Sequence, residues 1–91
     1  MKYRVRFHPA VSDDLAAIVK MIADHAGPQA AKCRLAEIQE VIASLQHTPH
    51  KGTIRDEIAP GVRAIPAGRK AVVAFTVDDD AREVLIQSAT A

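Results

Sequence analysis

Two helix-period apolar stripes separated by a single Gly-Pro step constrain this chain more than any other feature. Val11, Leu15, Ile18 and Ile22 recur at helical spacing, with Val19 widening the face. Ala31, Leu35, Ile38, Ile42 and Leu45 repeat the pattern. Between the stripes stand Gly27 and Pro28. Glycine ends a helix readily, and proline suits the first turn of the next one. A break this short leaves two helices only an antiparallel hairpin. Ser12 is placed to cap the first helix, with Asp13 and Asp14 favourable in its first turn. A hairpin with one apolar stripe per helix needs a third surface to cover it.

The rest of the chain supplies that surface as strands. Residues 2–8 alternate strictly, with Tyr3, Val5 and Phe7 on one face and Lys2, Arg4 and Arg6 on the other. His8-Pro9 ends this strand, because proline withholds a ladder donor and restricts its predecessor. The second helix should stop before His47-Thr48-Pro49, leaving residues 47–60 as a polar loop. Val62 to Ile65 read as a short strand, Ala67-Gly68 as a turn, and Ala71 to Val77 as a second strand. Asp78-Asp79-Asp80 makes the next turn, and Glu83 to Ala89 the last strand, with Val84 and Ile86 alternating against Leu85. The expected fold is α+β, in the order β-α-α-β-β-β. It has an N-terminal strand, a helical hairpin on one sheet face and a C-terminal antiparallel three-strand meander. Leu15, Ile18, Ile22, Leu35, Ile38 and Ile42 are expected to meet Val5, Phe7, Val73 and Phe75 in the core.

Composition narrows the function. At 91 residues with no repeat or linker, residues 1–91 are expected to form one domain. Such a chain buries only about 60–65% of its unfolded surface. Aromatics are 3% of the chain, limited to Tyr3, Phe7 and Phe75, which argues against a stacking platform for single-stranded nucleic acid. A net charge of +1 is also low for a nucleic-acid binder, so no direct nucleic-acid binding is expected. No apolar run approaches the roughly 20 residues of a membrane span. The N-terminus alternates and does not form a signal-peptide core. The lone Cys33 permits no internal disulfide and reads as a packed thiol in a helix. A soluble, cytoplasmic protein is expected.

Few constellations point to catalysis. His8, His25, His47 and His50 with one mid-helix cysteine do not make a zinc-ligand pattern, so no metal is expected. Ser44, His47 and Asp56 could be drawn as a triad, but any chain of this size offers such sets by chance. There is no nucleophile elbow or Gly-rich phosphate loop, and no cofactor is expected.

The sharper signal lies in the C-terminal third. Residues 52–63 read GTIRDEIAPGVR and residues 74–80 read AFTVDDD, followed by Val84-Leu85-Ile86. The order of polar loop, Pro-Gly turn, strand arginine and aspartate-closed hairpin resembles toxins of the RelE/ParE superfamily. It looks most like the ParE, or plasmid-stabilisation, branch. That resemblance implies a type II toxin that inhibits DNA gyrase and is neutralised by a cognate ParD-like antitoxin. RelE-like members instead cleave mRNA on the ribosome, with a basic and acid/base set that ends in a C-terminal Tyr or His. Under that alternative Lys51, Arg55 and Arg63 would be the catalytic residues. This chain has Gln87-Ser88-Ala89-Thr90-Ala91 where the acid/base residue would fall, so no catalytic residue and no enzyme activity are expected. The resemblance also implies a tail with a glycine pair and an Arg-Asp ending, which is not seen before Ala91, so weak toxicity is expected. A third reading is an inactive toxin fold kept for binding.

Candidate partner- or target-binding residues are Arg4, Arg6, Arg55, Arg63 and Arg69. For Lys2, Arg4 and Lys70 the plain reading is solvated charge. Arg63 follows the Pro-Gly turn, where the resemblance places an arginine. It is expected either to anchor the acidic loop through Asp56 or Glu57, or to face a target.

Overall fold

The computed structural model describes residues 2–68 and 71–90. Its elements are β1 (Arg4–Phe7), α1 (Ala10–Ala26), α2 (Pro28–Ser44), β2 (Thr53–Ile54), β3 (Arg63–Ala67), β4 (Ala71–Asp78) and β5 (Glu83–Thr90). The α+β order holds, and the helical hairpin packs on a five-stranded sheet ordered β1-β5-β4-β3-β2. The strands β3, β4 and β5 form the antiparallel meander, while β1 lies parallel to β5. The chain thus returns to its own beginning, with Val5 beside Val84 and Phe7 beside Ile86.

The helix boundaries follow the punctuation in the sequence. Gly27 adopts a φ of 93° between the helices, and Pro28 occupies the first turn of α2. The start of α1 differs from expectation. The helix begins at Ala10, and Ser12 does not cap it; its hydroxyl donates to the Pro9 carbonyl. His8 serves the first turn instead, its Nδ1 accepting from the Ala10 N–H at 3.1 Å. Asp14 therefore lies beyond the first turn, and its carboxylate accepts from the Ala89 N–H of β5 at 3.3 Å.

Val11, Ile18, Ile38, Ile42 and Leu45 are buried against Val73, Phe75, Val84 and Ile86, with Ala67, Ala71 and Ala89 filling the layer. Leu15, Ile22 and Val5 pack at its edge. Two expected core members fall outside it. Leu35 is only half-buried, because the stripe that faces the sheet runs through Ala31, Ile38, Ile42 and Leu45. Phe7 points to the helix-bearing face but lies on the outermost strand, where it remains 53% exposed. Cys33 is also exposed, since two helical steps from Ala31 carry it about 200° around α2. A register shift at Ala74/Phe75 makes Gln87 an extra residue on β5. The shift lets Ile86 and Ala89 face the core together.

Candidate functional site

The GTIRDEIAPGVR run contains a structured arch where an irregular loop was expected. Thr53–Ile54 pair with β3, Thr53 opposite Ala64 and Ile54 opposite Arg63. Gly52 makes this possible. Its φ is 85°, and a Cβ there would sit 2.5 Å from the Ala64 carbonyl oxygen. Beyond β2 the Arg55 N–H donates to Val62 O at 2.7 Å, Ile58 N–H to Arg55 O at 3.0 Å, and Val62 N–H to Ala59 O at 3.2 Å. Asp56 accepts from the Gly61 N–H at 3.0 Å and closes the Pro-Gly turn. Residues 51–58 are nevertheless all exposed, including Ile54 and Ile58.

Three residues far apart in sequence fasten the base of this arch. Asp79 Oδ1 accepts the Tyr3 hydroxyl at 2.7 Å and lies 2.8 Å from His50 Nε2. The Tyr3 and His50 rings meet edge-on, with centroids 6.1 Å apart. The Tyr3 hydrogen bond first, then the one with His50, with the nearby Arg63 charge, hold the Asp79 carboxyl below its usual range. The same bond to Asp79 pushes the Tyr3 phenol up. Tyr3 comes from the residue before β1, His50 from the stretch after α2, and Asp79 from the β4–β5 turn. No spacing in the sequence links positions 3, 50 and 79; the parallel return of β5 to β1 brings the β4–β5 turn to Tyr3, and the Tyr3 N–H bond to Gln46 O at 2.8 Å ties in the stretch after α2.

The candidate cations take separate places. Arg63 does anchor the loop, but through the His50 backbone carbonyl at 3.0 Å and not through Asp56 or Glu57. A carbonyl suits it because Asp56 is turned to Gly61 and Glu57 to Arg55. The Arg55 guanidinium holds the Glu57 carboxyl below its ordinary range. Lys51 Nζ donates to Ser44 Oγ at 3.3 Å. Arg4 and Arg6 share Glu83 across the β1–β5 pair, at 4.0 and 3.3 Å. Arg69 and Lys70 lie outside the described residues. Asp78 forms its turn by accepting from the Ala81 N–H, as expected of an aspartate there.

A second surface opens at the closed end of the hairpin. Met21, Ile22, Ala30, Arg34, Ile38 and Ala71 line a groove of about 520 Å³ whose walls are mainly apolar. Among the described residues no three His, Cys, Asp or Glu side chains gather where a metal could be held. No helix among them is long and apolar enough to cross a membrane.

Comparison with known proteins fits this architecture. The family described as the ParE toxin of the type II toxin-antitoxin system parDE matches residues 5–87. No curated protein sequence matches the chain. Among solved structures, a chain of the chromosomal ParDE system from P. aeruginosa superposes with a TM-score of 0.82 at 24% identity, covering 98% of this chain and 95% of its own. A chain of the RelBE2 toxin-antitoxin complex from Mycobacterium tuberculosis gives 0.71 at 22% identity, covering 99% and 98%. A free-state mutant of the E. coli toxin RelE gives 0.71 at 12% identity, covering 99% and 83%.

Proposed function

The chain belongs to the ParE toxin family of type II toxin-antitoxin systems, and from that premise we propose that it inhibits DNA gyrase without catalysis and is neutralised by a ParD-like antitoxin. The family match over residues 5–87 carries this reading. The disposition of the cations supports it against the alternative of mRNA cleavage. A nuclease needs basic and acid/base groups aimed together at one phosphate. Lys51, Arg55 and Arg63 are each engaged by a different partner within the chain.

The antitoxin is assigned the groove at the closed end of the hairpin. An apolar segment that folds on binding would cover Met21, Ile22 and Ala30, with an acidic residue set against Arg34. Arg4 and Arg6 remain largely exposed beside Glu83 and offer further acid-binding positions over the sheet. A cytoplasmic location follows from such partners.

Purified protein added to gyrase reactions should block supercoiling and accumulate cleaved DNA. In parallel, programmed ribosomes should retain intact mRNA. Codon-specific mRNA cleavage would overturn the reading and move the chemistry to Lys51, Arg55 and Arg63. Co-expression with the neighbouring small open reading frame should yield a complex that co-purifies and restores growth.

A further inference from the structure

We propose that His50 and Asp79 form a proton-operated latch, which ties the base of the arch of residues 51–61 more firmly in mild acid than above neutrality. The latch does not depend on which target the toxin has. His50 is the joint between the helical hairpin and the arch, since it follows α2 and precedes β2. Two of its holds are indifferent to its charge or nearly so. Its carbonyl accepts from Arg63 Nη1 at 3.0 Å, and its ring meets Tyr3 edge-on. The third is the 2.8 Å contact between Nε2 and Asp79 Oδ1, and this one changes with the proton.

An ionised carboxylate only accepts, so Nε2 carries a proton in both charge states, and the proton that comes and goes is on Nδ1. Without it the contact is a neutral donor on a carboxylate; with it the bond joins two opposite charges and is stronger. The Tyr3 hydroxyl, donating to the same Oδ1 at 2.7 Å, helps to keep Asp79 ionised into acid. The His50 charge therefore strengthens the latch in acid, and this is lost as pH rises through about 5–8, where histidines titrate. Asp79 has the opposite sign, so the latch weakens again as its carboxylate is protonated below about pH 4. The other charges at the site are Arg63 from β3 and Arg82 from the β4–β5 turn, which acts on the Tyr3 phenol. Arg63 acts on Asp79 more weakly than His50 does. On the same stretch as His50, Lys51 turns to Ser44 Oγ.

The two side chains are 51% and 63% exposed, so water screens the pair and its effect is modest. The test is a double-mutant cycle of His50→Gln and Asp79→Asn, read as unfolding constants in urea at about pH 5 and about pH 8. The two substitutions should be coupled by about two- to fivefold at the lower pH and clearly less at the higher one. Coupling that is absent at both, equal at both or larger at the higher pH overturns the latch. On the wild type alone, ring ¹⁵N shifts should show His50 Nε2 protonated throughout and Nδ1 titrating; the reverse order overturns it. Protection of the Arg55 N–H, taken relative to the unstructured rate at each pH, carries the effect to the arch. It should fall by a similar factor between the two conditions in the wild type and stay constant in His50→Gln. Protection that does not change in the wild type, or that changes equally in His50→Gln, overturns the link between the latch and the arch.

Discussion

The helical hairpin and the 51–61 arch are both ordered, but by opposite means. The hairpin is held by burial: Ile18, Ile38, Ile42 and Leu45 are withdrawn from water against Val73, Phe75, Val84 and Ile86. The arch buries almost nothing. Its Arg55, Ile58 and Gly61 N–H groups donate to Val62 O, Arg55 O and the Asp56 carboxylate, while its isoleucines face solvent. The Tyr3–Asp79–His50 contacts and the Arg63–His50 bond fasten its base to the sheet. Burial supplies the stability of a small domain, and hydrogen bonding can fix a surface that burial leaves free for a partner. The contrast predicts that substitutions in the two regions will separate stability from function.

The largest effect should come from the buried side. Ile38 is 1% exposed, and Ile38→Ala should cost about 2–5 kcal/mol. Each kcal/mol moves the midpoint of a domain this size by about 4–8 °C, so the loss is plain in a thermal melt. Leu35→Ala, half-buried outside the core, should cost clearly less, about 1 kcal/mol. Equal losses would mean that α2 faces the sheet differently.

Gly52→Ala comes next, because it strains the arch without touching the hairpin. The positive φ and the nearby Ala64 carbonyl should make it cost about 1–3 kcal/mol. Hydrogen exchange should quicken across residues 52–62 and remain unchanged in α2.

The fastening at Asp79 gives a smaller, pH-dependent effect. Its carboxyl pKa is lowered in the folded protein, so its contribution is present above the unfolded value. It is lost as pH falls through the folded one, below about pH 4. Tyr3 has the opposite sign: its raised pKa contributes below the unfolded value of about 10 and is lost at higher pH. Tyr3 is the sole tyrosine and there is no tryptophan, so phenolate absorbance reports it alone. Asp79→Asn should bring the Tyr3 titration midpoint down. An unchanged midpoint would mean that the two side chains do not meet in solution. The smallest effect on stability is expected for Ile58→Asp, within about 0.5 kcal/mol; a large loss would show that Ile58 is buried after all.

The same contrast explains what could be read from the sequence. Burial writes itself as periodicity, so both helices, the Gly27-Pro28 break and the strands β1, β4 and β5 were legible within a few residues. Leu35 and Phe7 were misplaced because periodicity gives a face but not its exact centre or the edge of the sheet. Hydrogen-bonded order leaves no such period. The two-residue strand Thr53–Ile54 was hidden in a polar run, and the meeting of Tyr3, His50 and Asp79 depends on β5 returning beside β1. The resemblance pointed to the run and to Arg63, but Arg63's partner proved to be a backbone carbonyl, which no side-chain pattern encodes.

The claim that the arch is rigid without being buried is tested most directly by residue-resolved amide hydrogen exchange on the free protein. The N–H groups of Arg55, Ile58, Gly61 and Val62 each donate to a partner between residues 55 and 62. They should exchange far more slowly than those of an unstructured peptide, and Asp56→Ala should release Gly61 first. Exchange of all four at unstructured-peptide rates, with α2 still protected, would contradict the account.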